Sequence, residues 1–195
     1  DGDGKGEVLM AVSEGTTFPN GQVITKADGT VTDYNNLPGS APQWVAILNG
    51  ETGNLIDTIS LAHFDEIATT RSDKWKHVTG HFIIAYLDGI RPSLVYQYKN
   101  RQTSGAFTGA YDAWHYEGGK LVLDWSCRFP GSGEAHQIRV ADVDGDGRDE
   151  VVEIGYVVDH DGSLLYDVTN VGHGDRHCLA DIDPDRPGLE HFFIQ

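Results

Sequence analysis

The chain has 195 residues, enough for one ordinary domain or a part of a larger one. Thirty acidic residues against fourteen basic ones give a formal net charge of −16, which disfavours nucleic acid as a partner, because phosphate binding needs clustered Lys and Arg. A disordered acidic tail is equally disfavoured: 39% of the residues are hydrophobic and four are Trp, so a core can form, and no apolar run reaches the roughly 18 residues that span a bilayer.

In chain order, short apolar runs rich in β-branched and aromatic residues cover Gln43 to Leu48, Phe82 to Tyr86, Ser93 to Tyr98, Lys120 to Trp125, Val151 to Val158 and Phe192 to Ile194. Turn signals separate them at Asp28-Gly29, Asn49-Gly50-Glu51-Thr52-Gly53, Glu117-Gly118-Gly119 and Asp161-Gly162. No long stretch keeps a 3.6-residue apolar period. Short strands joined by Gly-containing turns predict an all-β protein built of hairpins.

One unit recurs. Ala85 to Leu94, Ala141 to Glu150 and Ala180 to Glu190 align with one another, and Asp1 to Glu7 reads as a truncated fourth copy. A strand enters, an acidic loop turns, and a second strand leaves. Repeated short-stranded units of this kind predict part of a β-propeller, about three to four blades, with residues 1–195 forming one partial propeller domain. The rest of the propeller, or a neighbouring chain, would complete it.

The clearest motif is Asp142-x-Asp144-x-Asp146-Gly147-x-x-Glu150, with carboxylates at positions 1, 3, 5 and 9 of one tight turn. Alternating carboxylates with intervening Gly wrap the chain around a single ion, and Ca2+ takes six to eight oxygens at roughly 2.3–2.6 Å. The carbonyl of Arg148 is a further expected ligand. Three alternating Asp without a cation would repel one another. Asp181, Asp183, Asp185 and Glu190 repeat the device with one extra residue, and Asp1, Asp3 and Glu7 match the later positions of a third loop. The copy at Asp88 has lost its other acids and is expected to be structural. Several calcium ions are therefore expected, pinning loop corners so that metal binding becomes folding free energy.

A second cluster is His173-Gly174-Asp175-Arg176-His177, with His136 before the Asp142 loop and His160 before the Asp161-Gly162 turn. Successive loops brought to one face would let His136, His173, Asp175 and His177 converge. Two readings stand at this point: a shared cation, or separate loop histidines with their own hydrogen bonds. His160, Tyr166 and His177 are the candidates for proton transfer on chemistry alone. Cys127 and Cys178 allow a disulfide or two unpaired thiols, and do not fix the redox compartment.

The ordered string Ala141 to Glu150, then Asp159-His160-Asp161-Gly162, then Gly172-His173-Gly174-Asp175, then Asp181 to Glu190 resembles the eight-bladed rhamnogalacturonan lyases, and Tyr86 to Val95 also looks like a segment of that family. Where the family carries Gly-Asp-Asn-Tyr-Gly-Asn-Arg, this chain reads Arg71-Ser72-Asp73-Lys74-Trp75-Lys76-His77. The resemblance implies a secreted, calcium-dependent enzyme of pectin degradation that acts on an acidic plant polysaccharide, rhamnogalacturonan I. It implies cleavage of the galacturonate–rhamnose bond by β-elimination. It also implies that His136, His173 and Asp175 hold a central calcium ion, and that the chain is a piece of a longer one. Against it stand a non-catalytic calcium-binding propeller serving adhesion, structure or carbohydrate binding, which explains the acids but not the histidines, and a zinc hydrolase using His136, His173, His177 and Asp175.

Overall fold

The computed structural model describes residues 4–26, 28–30, 44–63, 67, 79–101, 107–129, 134–168 and 170–194. Asp1, Asp3 and the segment 71–77 lie outside them. The regular elements named among the described residues are all β-strands, as the short apolar runs and Gly-bearing turns predict. No described helix is long and apolar enough to cross a membrane.

The chain divides into two compact units: residues 1–79 with 100–106 and 116–122, and residues 80–99 with 107–115 and 123–195. In the first unit β1 (Glu7–Val12), β2 (Trp44–Asn49) and β3 (Leu55–Ser60) form an antiparallel sheet in that order. Outward and inward positions alternate along β1, whereas Val45, Ala46, Ile47 and Leu48 of the central β2 are all buried. The β2–β3 turn is the Asn49 to Gly53 segment, where Asn49 Oδ1 accepts from the Glu51 and Thr52 amides and Gly53 takes φ 70°. Val12, Phe18, Ile24, Ala46 and Leu48 make this unit's core.

The second unit holds the Asp142 loop and His136, His173 and Asp175. Most of a four-stranded sheet lies in it, ordered β4 (Thr79–Ala85), β5 (Ser93–Arg101), β6 (Phe107–Glu117), β7 (Lys120–Phe129). β8 (Glu134–Ala135) follows, and then an antiparallel sheet of β9 (Arg139–Ala141), β10 (Glu150–Val152), β11 (Tyr156–Val158) and β12 (Leu164–Asp167). The run from Val151 to Val158 is thus two strands and not one. Its middle turns at Glu153-Ile154-Gly155, where the Glu153 amide donates to the Tyr156 carbonyl at 3.0 Å. β13 (His173–Gly174) pairs parallel with β8, and β14 (Arg176–Ala180) pairs antiparallel with β15 (Glu190–Ile194). Ala85, Val95, Tyr111, Ala113, Val151 and Val158 are fully buried in this unit's core, and Trp125 and Cys127 pack against it. Cys127 and Cys178 are both unpaired thiols, and burial pushes the Cys127 thiol up to about 12.

Candidate functional site

The Asp142 loop joins β9 to β10, and its first carboxylate organises the turn. Asp142 Oδ1 accepts from the Gly145 and Asp146 amides at 2.7 and 3.1 Å, and Oδ2 accepts from Gly147 at 2.9 Å. Gly145 and Gly147 sit at φ 83° and 89°, where a side chain would be strained. Asp142, Asp144 and Asp146 present carboxylate oxygens within 4.8 Å of one another. Two further groupings of the same span add residues that the loop spacing alone did not point to: Asp144 with Glu150 and Asp159, and Asp146 with Glu150 and His160.

Glu150 is fully buried. Its Oε2 accepts from the Val143 amide at 2.7 Å, while its Oε1 is buried with no hydrogen-bond partner. Burial first, then the neighbouring carboxylates of Asp144, Asp159 and Asp146, pushes its carboxyl up to about 7. A buried carboxylate oxygen without a partner, among four more acids, is a costly arrangement that a cation would satisfy. The donor set, almost all oxygen, fits calcium. His160 is tied down in the same region, with Nδ1 2.7 Å from Asp159 Oδ1 and Nε2 against the Arg148 guanidinium.

The Asp181 loop is arranged differently. Glu190 Oε2 accepts from the Ile182 and Asp183 amides at 2.8 and 3.2 Å, the same turn-closing role that Glu150 plays. Its acids do not gather three to a point among the described residues; Asp183 Oδ2 instead lies 3.1 Å from Arg186 Nε, which stands where the Asp142 loop has Gly147. Glu7, the described member of the third expected loop, opens β1. The Asp88 turn is closed by its own residues: Oδ1 accepts from the Ile90 and Arg91 amides, and Oδ2 lies 2.8 Å from Arg91 Nε.

His136, His173 and Asp175 do converge. Parallel pairing of β8 with β13 puts His173 opposite Glu134 and Gly174 opposite Ala135, so the residues that follow, His136 and Asp175, emerge side by side. His173 Nε2 lies 3.2 Å from His136 Nε2, and Asp175 Oδ1 lies 3.8 Å from the latter. The His173 ring stacks on Phe107 of β6 at 5.7 Å. The His136 and Asp175 side chains are 61% and 74% exposed, so the point they share opens to solvent and to a large ligand. Two imidazole nitrogens and a carboxylate aimed at one point fit a divalent cation.

Beneath this point lies a buried polar floor. Ala135 N–H donates to Glu153 Oε1 at 3.1 Å, and Lys99 Nζ donates to the Ala135 carbonyl. Gln97 Nε2 donates to Glu153 Oε1 at 3.1 Å and to the Tyr111 hydroxyl at 2.7 Å, which in turn meets the Tyr156 hydroxyl at 2.9 Å. Burial pushes Glu153 up to about 7. His81, on β4, has a buried Nε2 without a partner; burial, then Lys99 and His136, hold its pKa down to about 4.

His177 does not join the cluster. It is 1% exposed on β14, with Nε2 2.9 Å from the Gln137 carbonyl and Nδ1 2.8 Å from His191 Nε2. Both ring nitrogens are engaged by these partners, so it serves packing and offers no free nitrogen to the point shared by His136 and His173. That removes a ligand from the zinc-hydrolase alternative. Tyr166 is half exposed on β12.

Residues 1–195 match the family described as rhamnogalacturonan lyase family 11, C-terminal domain. The chain belongs to this family. It is 37% identical to the rhamnogalacturonan endolyase YesW and 36% identical to the rhamnogalacturonan exolyase YesX, both of Bacillus subtilis (strain 168), in each case over 100% of this chain and 32% of the relative. Crystallographic YesW superposes with a TM-score of 0.85 at 33% identity, and the Bacillus licheniformis rhamnogalacturonan lyase PL11 has a TM-score of 0.82 at 34% identity. Both structural matches cover 100% of this chain and 34% of the other. The chain therefore spans about a third of the length of these family members.

Proposed function

We propose that this chain is part of a calcium-dependent polysaccharide lyase that cleaves galacturonate–rhamnose bonds of rhamnogalacturonan I by β-elimination, and that it supplies one wall of the cleft. The observation that carries this reading is the convergence of His136, His173 and Asp175 at a solvent-open point in a chain of this family. β-Elimination from a uronate needs the proton at C5 to be made acidic, and a divalent cation bound at these three residues would supply that by neutralising the adjacent carboxylate. His136 and His173 would act as neutral imidazoles presenting Nε2 lone pairs, Asp175 as a carboxylate, and Phe107 would hold the His173 ring in plane. The strand pairing fixes these donors before substrate arrives.

The Asp142, Asp144, Asp146 and Glu150 loop would hold a structural calcium, with Asp159 beside it, and the Arg148 carbonyl as a further ligand. At the Asp181, Asp183, Asp185 and Glu190 loop, an ion would first have to displace Arg186 from Asp183. Two four-stranded sheets, each in chain order, support blades of a propeller that further chain would complete. A secreted enzyme fits loops of this kind, since extracellular calcium sites need only modest affinity. A second reading of the cleft cation is zinc, favoured by the two imidazole nitrogens, which calcium seldom takes.

The test is incubation of rhamnogalacturonan I with the protein carrying this chain, with and without calcium, while following the ultraviolet absorbance of unsaturated uronate. The reading expects an absorbance rise that chelator abolishes and that His136→Ala reduces at least a hundredfold. Product without unsaturation, or cleavage indifferent to His136, would sink it.

A further inference from the structure

Two strands of two residues each position the converging histidines, His173 on β13 and His136 directly after β8. So short a parallel pair has little stability of its own, because a parallel ladder this brief makes few hydrogen bonds. Something else must hold it in register. Lys99 and Glu153 are the candidates on physical grounds. They are only 4% and 1% exposed, and Lys and Glu are rarely buried so deeply without a specific task. Both charged ends terminate on the backbone of one residue. Glu153 Oε1 takes the Ala135 N–H at 3.1 Å, and Lys99 Nζ donates to the Ala135 carbonyl. That carbonyl belongs to the peptide that leads directly into His136, and Ala135 is the register partner of Gly174, which follows His173.

We propose that Glu153 and Lys99 are positioning residues, a buried ionic clamp on Ala135 that fixes the backbone leading to His136 and, through the β8–β13 pairing, sets the spacing between His136 and His173. Gln97 Nε2 donates to the same Glu153 Oε1 at 3.1 Å, which holds that oxygen at the Ala135 amide. The cost of burying two ionisable side chains is met by fixing one register out of several that a two-residue strand could adopt, a use for which buried polar groups are retained. The consequence for a cation rests on the reading of His136, His173 and Asp175 as its ligands; the clamp on the backbone does not.

The experiment uses Co2+ as the probe, because its visible absorption reports nitrogen ligation and the oxygen-rich Asp142 loop contributes little to it. His136→Ala is the control and should remove the signal. Lys99→Met combined with Glu153→Gln removes both charges together, leaving no lone buried ion. The proposal expects this double variant to bind Co2+ about tenfold more weakly, the size usual for residues that orient metal ligands, while Lys99→Arg stays within about twofold of the parent. A folded double variant that binds Co2+ as tightly as the parent overturns the clamp. Hydrogen exchange in the unmutated chain decides independently of any variant and of any metal: the Ala135 amide should exchange as slowly as amides of β10, and exchange at an exposed-loop rate overturns the clamp. A parent protein with no His136-dependent Co2+ signal would defeat the cation reading, and the exchange rate at Ala135 would then judge the clamp alone.

Discussion

His136 and His173 face each other with their Nε2 atoms 3.2 Å apart, although 37 residues separate them along the chain. A neutral imidazole nitrogen either carries a hydrogen or offers a lone pair, so at this distance one ring donates to the other or both lone pairs converge on a shared cation. Removing either ring removes one donor from that shared point. His136→Ala and His173→Ala should each weaken divalent-cation binding at least tenfold, yet move the melting temperature by no more than a few degrees, since His136 is largely exposed and contributes little to the core. Calorimetric titration of both variants checks this; affinity equal to the parent in either would contradict the shared point.

The Asp142 loop carries a proton linkage. Glu150 has its carboxyl pushed up to about 7, chiefly by burial, so in the ion-free loop it holds a proton through mildly acidic pH. A cation must displace that proton. Apparent calcium affinity should therefore rise as pH increases from about 5 toward 7 and level off above it. Binding at pH 6.5 should release a large fraction of one proton, read from the dependence of the binding enthalpy on the buffer's ionisation enthalpy. Glu150→Gln should abolish the release, and an enthalpy that ignores the buffer would count against a ligand role for Glu150.

Acid should loosen the β14–β15 pair. The Gln137 carbonyl only accepts, so neutral His177 donates from Nε2 and receives the His191 proton at Nδ1. Protonating His177 sets two donors against each other. Burial holds its pKa down to about 4, below the unfolded value near 6.5, so the folded state binds fewer protons in that window. Stability from His177 is complete above about pH 6.5 and is lost as pH falls toward 4, on the order of 2–3 kcal/mol. His191 shifts the same way, also by burial. A magnetic-resonance titration placing His177 near 6.5 in the folded protein would refute the arrangement.

Gly174 separates His173 from Asp175 where no side chain fits. A Cβ there would stand 2.8 Å from the Ile194 carbonyl oxygen and 3.0 Å from Ile154 Cδ1. Gly174→Ala must shift backbone on one side or the other. It should cost about 1–3 kcal/mol in denaturant unfolding and weaken cation binding together, because the shift moves His173. Loss of stability without loss of binding would separate the strand from the site.

How much of this was legible in the sequence differs by residue. The hairpin turns at Asn49 to Gly53 and Asp161-Gly162 follow from local turn chemistry, and the structure places both between paired strands. His136, His173 and Asp175 stood out because Gly neighbours and an acid two residues from a histidine are unusual, and because the string resembles a known family. Asp159 was missed as a neighbour of the Asp142 loop, since it reaches that loop from the turn after β11 and no spacing encodes the approach. Lys99 and Glu153 were invisible for a related reason: a Lys in Tyr98-Lys99-Asn100 reads as a solvated edge, and only tertiary packing buries it. The Asp181 loop shows the reverse case. Its acids match the spacing of the Asp142 loop with one residue added, but Arg186 replaces the glycine of that loop and pairs with Asp183, and side-chain pairing then competes with convergence on an ion.

The lyase reading stands or falls on whether His136, His173 and Asp175 share one cation. Anomalous diffraction from crystals grown in calcium tests it most directly. A peak is expected between His136 Nε2, His173 Nε2 and the Asp175 carboxylate, together with one in the loop of Asp142, Asp144, Asp146 and Glu150, the carboxylate oxygens lying roughly 2.3–2.6 Å from each ion. A calcium peak in the loop but none between the two histidines, at saturating calcium and with both rings still facing each other, would contradict it.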